Sequence, residues 1–535
     1  GKLRIVWDAA AEWAGTSLNS ALLTGPDLTC SLVAILLRFR ERRVGLGGDI
    51  KEMFHQVRIR PEDHFSQCFY WFDEKGETAT YVMQVMTFGA CCSPSSAQFV
   101  KNKNARRFAA THPEAVNAIT DAHYVDDLLI SVDTPLQAIQ LAKDVQYIHK
   151  QGGFHIRNWV STSREVREQL GEEECNSIEV VEGKSEKVLG LWWDTKNDVF
   201  TFKVRCPAED ATLLAGTRKP TKREVLRLLM RIFDPLGLVA VLLSPLKMLL
   251  QEVWRAGIGW DDTLPDDIIP RWEEWLQVLP KVANLKIPRQ YFDRSAEATT
   301  QLHTFVDASE NGIAAACYLR SNDGQCTLVA GKTKVAPLRF TSIPRMELNA
   351  AVLGARLTRS VKDALSIRID SKTLWTDSRN VLFWINSDSR RYSQYVGHRV
   401  DTLLECTDAR EWRWVPSKLN PADDATKWTG EMDVSSNCRW LRGPQFLREC
   451  PDKWPANPVP APTSEEIRSC FLGAHTDTEP IVDTTRFSSW TRLVRAVCYV
   501  KRFISNCKAR RAKKQRTSGP VTASEISAAR CMLYR

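Results

Sequence analysis

The stretch HYVDDLLISV, residues 123–132, sets two adjacent aspartates, Asp126 and Asp127, inside an otherwise apolar run. Apolar residues on both sides of a short polar pair predict strand, tight turn, strand, with the acids at the turn. An isolated Asp-Asp in a hairpin needs no further explanation, because Asp favours turns. A second apolar segment with an embedded acid, VGLGGDIKEMFHQVRI (44–59), alters that reading. If Asp49 and the Asp126–Asp127 pair meet at strand ends, three carboxylates repel one another in a partly buried place, which costs several kcal/mol unless something compensates. Divalent cations remove that repulsion, and Mg²⁺ favours one or two carboxylates together with substrate phosphates. Two metals about 4 Å apart can activate a 3′-hydroxyl and stabilise a leaving pyrophosphate, so the acids point to nucleotidyl transfer.

The chain has 535 residues, 43% apolar and 26% charged, a composition of folded multidomain proteins. Its net charge of +9 suits a polyanionic partner. The 15 cysteines include no CxxC pair, which favours reduced intracellular thiols over a disulfide scaffold. The most apolar region, residues 226–250, is interrupted by Asp234, Pro235, Pro245 and Lys247, so no membrane span is expected. The chain opens at Gly1 without a methionine and ends on AARCMLYR, and it reads as a piece of something longer.

Residues 1–205 alternate short β-like runs (LRIVWD, HQVRI, SQCFYWF, TYVMQVM, HYVDDLLISV) with helical stretches. TPLQAIQLAKDVQYIHKQGG (134–153) has helical spacing and a Gly-Gly stop. Residues 206–290 read as helical, with KREVLRLLMRIFDPLG the clearest case, and 301–430 alternate strands and helices. Residues 431–486, rich in Pro and Ser from 451, read as linker, and 487–535 as a basic helical tail. In that tail VKRFISNCKARRAKKQR (500–516) is either a solvated charged helix or a phosphate-contacting one. His475, Cys498 and Cys507 lack zinc-finger pairing, so no zinc is assigned. Trp254, Trp260, Trp272 and Trp275 read as core and interface anchors rather than base-stacking platforms.

A second set of acids lies at element ends. HTFVDASENGIAAACYL (303–319) places Asp307 in a strand that turns at Asn311-Gly312. IPRMELNAAVLGARL (343–357) places Glu347 in a first helical turn. LWTDSRNVLFWI (374–385) ends a strand at Asp377, with Ser378 as helix cap. WRWVPSKLNPADDATKW (412–428) is strand, loop and a helix opening near Asp423. Each acid alone reads equally well as a surface or capping carboxylate. Four in this order argue for convergence.

Several of these segments resemble known families. YVDD, GDIKEMFHQVRI and MTFGACCSPSSAQFV (86–100) resemble the palm motifs and nucleotide-binding loop of reverse transcriptases. GKLRIVWDAAA resembles a fingers segment, and KVLGLWWD (187–194) a primer grip. With SLNSALLTGPDL (17–28) and IFDPLGLVAVLLSPLK (232–247), the resemblance is to Pol polyproteins of BEL/Pao-class LTR retrotransposons. The second acid set resembles the RNase H fold. The resemblance implies a multidomain α/β and α+β architecture: fingers and palm over 1–205, a thumb and connection over 206–290 lying along the duplex minor groove, an RNase H-like α/β domain over 301–430, and a tail preceding an integrase. It implies RNA-directed DNA polymerase and ribonuclease H activities, two Mg²⁺ per site with Mn²⁺ as substitute, and RNA template, DNA primer, RNA–DNA hybrid and dNTPs as partners. It further implies flanking protease and integrase, and a cytoplasmic virus-like particle that hands its product to the nucleus.

Residue by residue, the resemblance makes Asp49, Asp126 and Asp127 the catalytic and metal-binding acids of the polymerase, and Asp307, Glu347, Asp377 and Asp423 those of the nuclease, with Asp424 the runner-up to Asp423. Phe54 matches the gate against a ribose 2′-hydroxyl; its other reading is a core Phe. Arg4 matches the triphosphate-binding arginine, Phe88 and Gly89 the pocket floor, and Leu189, Gly190, Leu191 and Trp192 the primer grip. Two departures stand out. Asn158 occupies a position where related sequences carry Lys, and VPSKLNPAD lacks the loop histidine of many RNases H. A decayed or domesticated copy that binds nucleic acid without efficient catalysis is the competing reading.

Overall fold

The computed structural model describes residues 6–170, 185–202, 210–292, 299–427, 433, 435–458, 465–467, 483–512 and 514–533. They fall into two units, one running to residue 467 and the other from residue 468. The first unit holds three larger sheets and a two-stranded hairpin.

Strand β1 (Val44–Ile50) lies inside a four-stranded sheet, and β2 (Cys68–Phe72) and β3 (Thr78–Val82) form the separate hairpin. Strands β4 (His123–Tyr124), β5 (Asp127–Val132) and β6 (Ile156–Ser161) complete the first sheet, in the order β4-β5-β1-β6 with antiparallel neighbours. The helices Ser93–Arg106, Pro113–Asp121 and Pro135–Gln151 cover one face through Ala105, Ile119, Leu128, Leu141, Val145 and Ile148, each such burial contributing about 1.5–3 kcal/mol for the larger side chains. Pro135–Gln151 begins at a capping box between Thr134 and Gln137 and stops at Gly152, as the sequence suggests. Two expected strands are not found among the described residues. HQVRI forms a single 3₁₀ turn, Met53–Gln56, then an isolated bridge from Arg58 to Val85. In LRIVWD, the described residues 6–8 are not a strand; Trp7 N–H donates instead to the Phe88 carbonyl at 2.9 Å.

Strands β7 (Ser185–Val188), β8 (Leu191–Asp194), β9 (Val199–Thr201) and β10 (Lys286–Pro288) make a second antiparallel sheet, so the segment after the helices returns to pair with β9. Between them, Lys222–Arg231 ends at Ile232, whose backbone is extended, two residues before Asp234-Pro235. The Asp234 carboxylate accepts from the N–H groups of Leu238 and Val239, both at 2.8 Å, at the entry to the next helix, Ala240–Arg255. That helix is buried along most of its length despite Pro245. Among the described residues, no helix is long and apolar enough to cross a membrane. Trp272 and Trp275 are core residues, whereas Trp254 and Trp260 are exposed and stack edge-on at 5.4 Å, so only half of the tryptophan expectation holds in its core form.

Strands β11 (Thr300–Ala308), β12 (Gly312–Ser321), β13 (Cys326–Val335), β14 (Ser371–Thr376) and β15 (Trp412–Trp414) form a mixed sheet in the order β13-β12-β11-β14-β15. The first three are antiparallel; β14 joins β11 in parallel after the long helix Ile343–Ala364, and β15 joins β14 in parallel. Every residue of β12 is buried. Its alternate side chains serve two cores: Ile313 and Ala315 face the Ile343–Ala364 helix side, while Ala314, Ala316 and Tyr318 join the core that runs back to the first sheet. Gly354 permits the close approach of helix and sheet, since a Cβ there would stand 2.2 Å from Val306 Cγ1.

Two buried arginines tie the three larger sheets together, Arg289 joining the first and second and Arg40 reaching the third. Arg40 donates to the carbonyls of Arg289 at 2.9 Å and Leu328 at 3.0 Å, across Tyr291. Arg289 is gripped by Asp198 through two bonds of 2.7 and 2.8 Å and donates to the Arg43 carbonyl at 2.7 Å. The linker expected from residue 431 is corrected over its described first part. Trp440, Phe446 and Leu447 are buried in the shared core, Trp440 Nε1 donating to the Leu238 carbonyl at 3.1 Å. Their apolar bulk, rather than the following prolines, decides the placement. In the second unit the helices Trp490–Arg511 and Ala523–Leu533 pack through Leu493, Val497 and Ala529, with Arg502 paired to Glu525.

Beneath the first sheet, His123 and His149 face each other, Nε2 to Nε2 at 3.3 Å, and each Nδ1 is buried without a hydrogen-bond partner. Burial, and then the nearby Lys101 ammonium, hold both imidazoles below their usual range, His149 down to about 3. The unfolded chain therefore binds these protons first. The pair's contribution to stability is complete above about pH 6.5 and is lost as pH falls below it. A His123→Leu/His149→Leu variant is expected to show a flatter fall of Tm than the parent between about pH 7 and pH 5; parallel profiles would contradict this account.

Candidate active sites

The antiparallel register of β1 and β5 sets Asp49 directly opposite Asp127. Ile50 N–H donates to the Asp126 carbonyl at 2.9 Å, which ties the hairpin turn to the end of β1. The turn residue Val125 has φ +57°, a left-handed conformation that costs a β-branched residue about 1–3 kcal/mol. Gln98, buried on the helix beneath, donates to the Val125 carbonyl at 3.1 Å and holds the turn there. Burial first, then Asp126 and Asp49, push the Asp127 carboxyl up to about 6. The three acids thus share one sheet end.

Asn158 lies at a bulge in β6 opposite β1, with φ +53°. Its side-chain amide donates to Asp49 Oδ1, and the Arg157 guanidinium faces Asp49 Oδ2 at 3.8 Å. The sequence shows Asn158 only as a departure from related chains; its bond to Asp49 depends on the bulge, which has no sequence signal. Phe54 and Phe88 pack ring to ring at 4.9 Å. Gly89 has φ +108°, and a Cβ there would lie 2.0 Å from the Trp7 carbonyl oxygen, so this position requires glycine. Leu189 and Gly190 form the left-handed turn between β7 and β8; Leu189 and Leu191 are buried, and Trp192 is half-buried. Arg4 lies outside the described residues.

In the third sheet the parallel register pairs Val306 with Thr376, so Asp307 and Asp377, the next residue on each strand, emerge side by side. Glu347 reaches them from the Ile343–Ala364 helix, one turn further in than the first-turn placement expected, because the helix already begins at Ile343. Among the described residues, Asp307, Glu347 and Asp377 are the group whose ligand atoms all lie within 4.8 Å of one another. Asp423 sits in the 3₁₀ turn Pro421–Ala425, moored to β11 by Asn420 Nδ2 donating to the Val306 carbonyl at 2.9 Å. Asp424 is held instead by Arg439. Two side chains overlooked in the sequence orient the acids: Thr426 Oγ1 donates to Asp307 Oδ2, and Ser417 Oγ to Asp377 Oδ2.

Burial and mutual repulsion push Asp307 up to about 7 and Glu347 up to about 9. Glu347 Oε2 and Asp377 Oδ1 are buried and accept no hydrogen bond within the protein. An all-oxygen donor set with unsatisfied inward oxygens fits a hard divalent cation. The raised values also fix a sign. Protonation of these groups favours the fold, and that contribution is lost as pH rises through about 7 and 9. In EDTA, Glu347→Gln is expected to raise Tm over the parent at about pH 8.5, with the difference shrinking toward about pH 5. An equal or lower Tm at the alkaline pH would contradict the repulsion.

Residues 11–159 match the model of the family Reverse transcriptase (RNA-dependent DNA polymerase), and residues 221–378 that of the Pao retrotransposon-like RNaseH-like domain. The first match contains Asp49, Asp126 and Asp127; the second contains Asp307, Glu347 and Asp377 and stops short of Asp423. The chain therefore carries a reverse-transcriptase region followed by a Pao-type RNase H-like region. A Gag-Pol polyprotein of Avian reticuloendotheliosis virus is 27% identical over 109 residues, 20% of this chain and 9% of that relative's length. Two solved structures are similar at low identity. The foamy viral protease-reverse transcriptase dRH in complex with ds DNA is 13% identical, with 77% of this chain and 62% of that one covered and a TM-score of 0.48. The same protease-reverse transcriptase in complex with RNA/DNA hybrid is 14% identical, with 76% and 48% covered and a TM-score of 0.46.

Proposed function

We propose that this chain is an RNA-directed DNA polymerase with ribonuclease H activity, the copying module of a retroelement Pol polyprotein. The observation that carries the reading is the presence of two acid clusters, each at strand ends in the region matched by the corresponding family. Asp49, Asp126 and Asp127 would hold Mg²⁺ in the polymerase site, and Asp307, Glu347 and Asp377, joined by Asp423, in the nuclease site. When bound, divalent ions activate the attacking oxygen and neutralise charge on the phosphate and leaving group.

The chain's own residues position the reactants. The Asn158 amide and Arg157 orient Asp49, so the position where related chains carry Lys serves here to hold an acid. The paired rings of Phe54 and Phe88, with Gly89 beside them, form the floor and wall for an incoming dNTP. Leu189–Trp192 is a turn suited to hold a primer strand, and Arg4 would take the triphosphate. Thr426 and Ser417 keep Asp307 and Asp377 turned into the nuclease site. The remaining parts of the reading are RNA template and hybrid as partners, a flanking protease and integrase, and assembly in a particle. The second reading, binding without efficient catalysis, rests on Asn158 replacing a lysine.

Both activities are measurable on one RNA–DNA substrate. Glu347→Gln is expected to cut hybrid cleavage by orders of magnitude and leave primer extension within a few-fold, and Asp126→Asn to do the reverse. Loss of both activities in either folded variant would sink the two-site assignment. Sugar selection is tested separately: Phe54→Ala should raise rNTP incorporation relative to dNTP, and an unchanged ratio would reduce Phe54 to core packing.

A further inference from the structure

Asp423, the fourth nuclease acid, stands apart from the tight trio, and a lysine accounts for its position. Lys427 follows it by four residues and ion-pairs with Asp423 Oδ1. The same ammonium lies near enough to Asp307, Glu347 and Asp377 to act on all three electrostatically. The backbone at this point is fixed. Thr426 bonds to Asp307, Ser309 Oγ donates to the Thr426 carbonyl at 2.8 Å, and Lys427 N–H donates to the Asp423 carbonyl at 3.2 Å. The side chain itself is not confined, being 54% exposed against 21% for Asp423. An exposed cation is thus tethered beside four acids, three of which, Glu347, Asp377 and Asp423, carry a buried oxygen with no hydrogen-bond partner in the protein, the Lys427 contact to Asp423 being an ion pair.

We propose that Lys427 is the resident cation of the nuclease site: its ammonium takes the place of a divalent ion at Asp423 and must be displaced before that carboxylate can complete the metal shell. The inference rests on the metal-dependent nuclease reading above. An ammonium carries one charge and binds one edge of the cluster, so it offsets part of the repulsion without satisfying the inward oxygens. A divalent ion outcompetes it, but only after paying for the broken Asp423 pair, and the site's apparent metal affinity is set by that exchange. Once displaced, the lysine extends toward solvent at the rim of the site, where a phosphate of bound hybrid offers it a new partner.

The test is a Mn²⁺ titration of the full chain without nucleic acid, followed by EPR, with nuclease-site binding defined as the component lost in Glu347→Gln. Lys427→Gln is expected to lower the half-saturating Mn²⁺ of that component by about three- to tenfold, consistent with removal of one close competing charge. The gain should persist at high KCl, where the through-space effect of a surface charge is screened. Lys427→Arg, which retains the charge, should stay near the parent. Arg439→Gln, which removes the neighbouring cation paired with Asp424, should change little. An unchanged or weaker affinity in Lys427→Gln, a gain abolished by salt, or an equal gain in Arg439→Gln would overturn the proposal while leaving the nuclease reading intact. If the parent shows no Glu347-dependent Mn²⁺ binding, both fall.

Discussion

Carboxylates held side by side repel one another, and both candidate sites depend on a scaffold stiff enough to hold them there. In the nuclease sheet, Asp307 and Asp377 are neighbours solely because β11 and β14 run parallel in a register that pairs Val306 with Thr376. That register is enforced by apolar packing on both faces of the sheet, through Phe305 and Trp375 stacked at 5.7 Å on one side and Val306 and Leu374 on the other. The cost of the arrangement is visible in Glu347, pushed up to about 9, and in Asp307, pushed up to about 7. The palm repeats the design with an antiparallel pair, Asp49 opposite Asp127, and stores additional strain in the left-handed Val125. In both places local helpers, Asn158 and Arg157 beside Asp49 and Thr426, Ser417 and Lys427 in the second site, hold individual oxygens, and in the second site they leave Glu347 Oε2 and Asp377 Oδ1 undercompensated. Undercompensation suits a site built for divalent ions.

The second feature of the molecule is the continuity between its two halves. The palm helix Leu32–Phe39, the second sheet, the helices from 222 to 284 and the inner face of the nuclease sheet share one hydrophobic core. Arg40 and Arg289, both fully buried, bridge these parts through backbone carbonyls rather than carboxylates, apart from the Arg289–Asp198 pair. The Ser366 N–H adds a bond, donating to the Glu41 carboxylate at 2.7 Å. Guanidinium groups suit this work because their fixed fork of donors satisfies several carbonyls at once. The consequence is a fixed relation between the two sheets within this unit.

Much of this was legible in the sequence, for identifiable reasons. HYVDDLLISV and GDIKEMF each combine strand-like apolar runs with an acid at the end, and register does the rest. Thr134 with Gln137, Gly152-Gly153 and Ser378 are local cap signals, and each is observed as a helix end. The misses are equally local in cause. HQVRI has strand composition, but its residues complete a 3₁₀ turn and a single bridge. Residues 439–454 were obscured by the prolines after them, although Trp440, Phe446 and Trp454 carry enough apolar area to demand a core. Arg40 and Arg289 could not be found, since a basic residue in a sequence gives no sign of which carbonyls it will meet. Lys427 had a signal that passed unused, an acid and a lysine four residues apart in DDATK. Thr426 and Ser417 had none, because their partners come from strands more than 35 residues away in sequence.

The central claim is that two separate carboxylate clusters in one compact unit are each poised for divalent ions. Anomalous diffraction from crystals of the protein soaked in Mn²⁺ tests it most directly. The account predicts Mn²⁺ peaks at two places, one contacted by Asp307, Glu347 and Asp377 and the other by Asp49 and Asp126 or Asp127. Peaks at only one cluster, or at neither while surface sites fill, would contradict it.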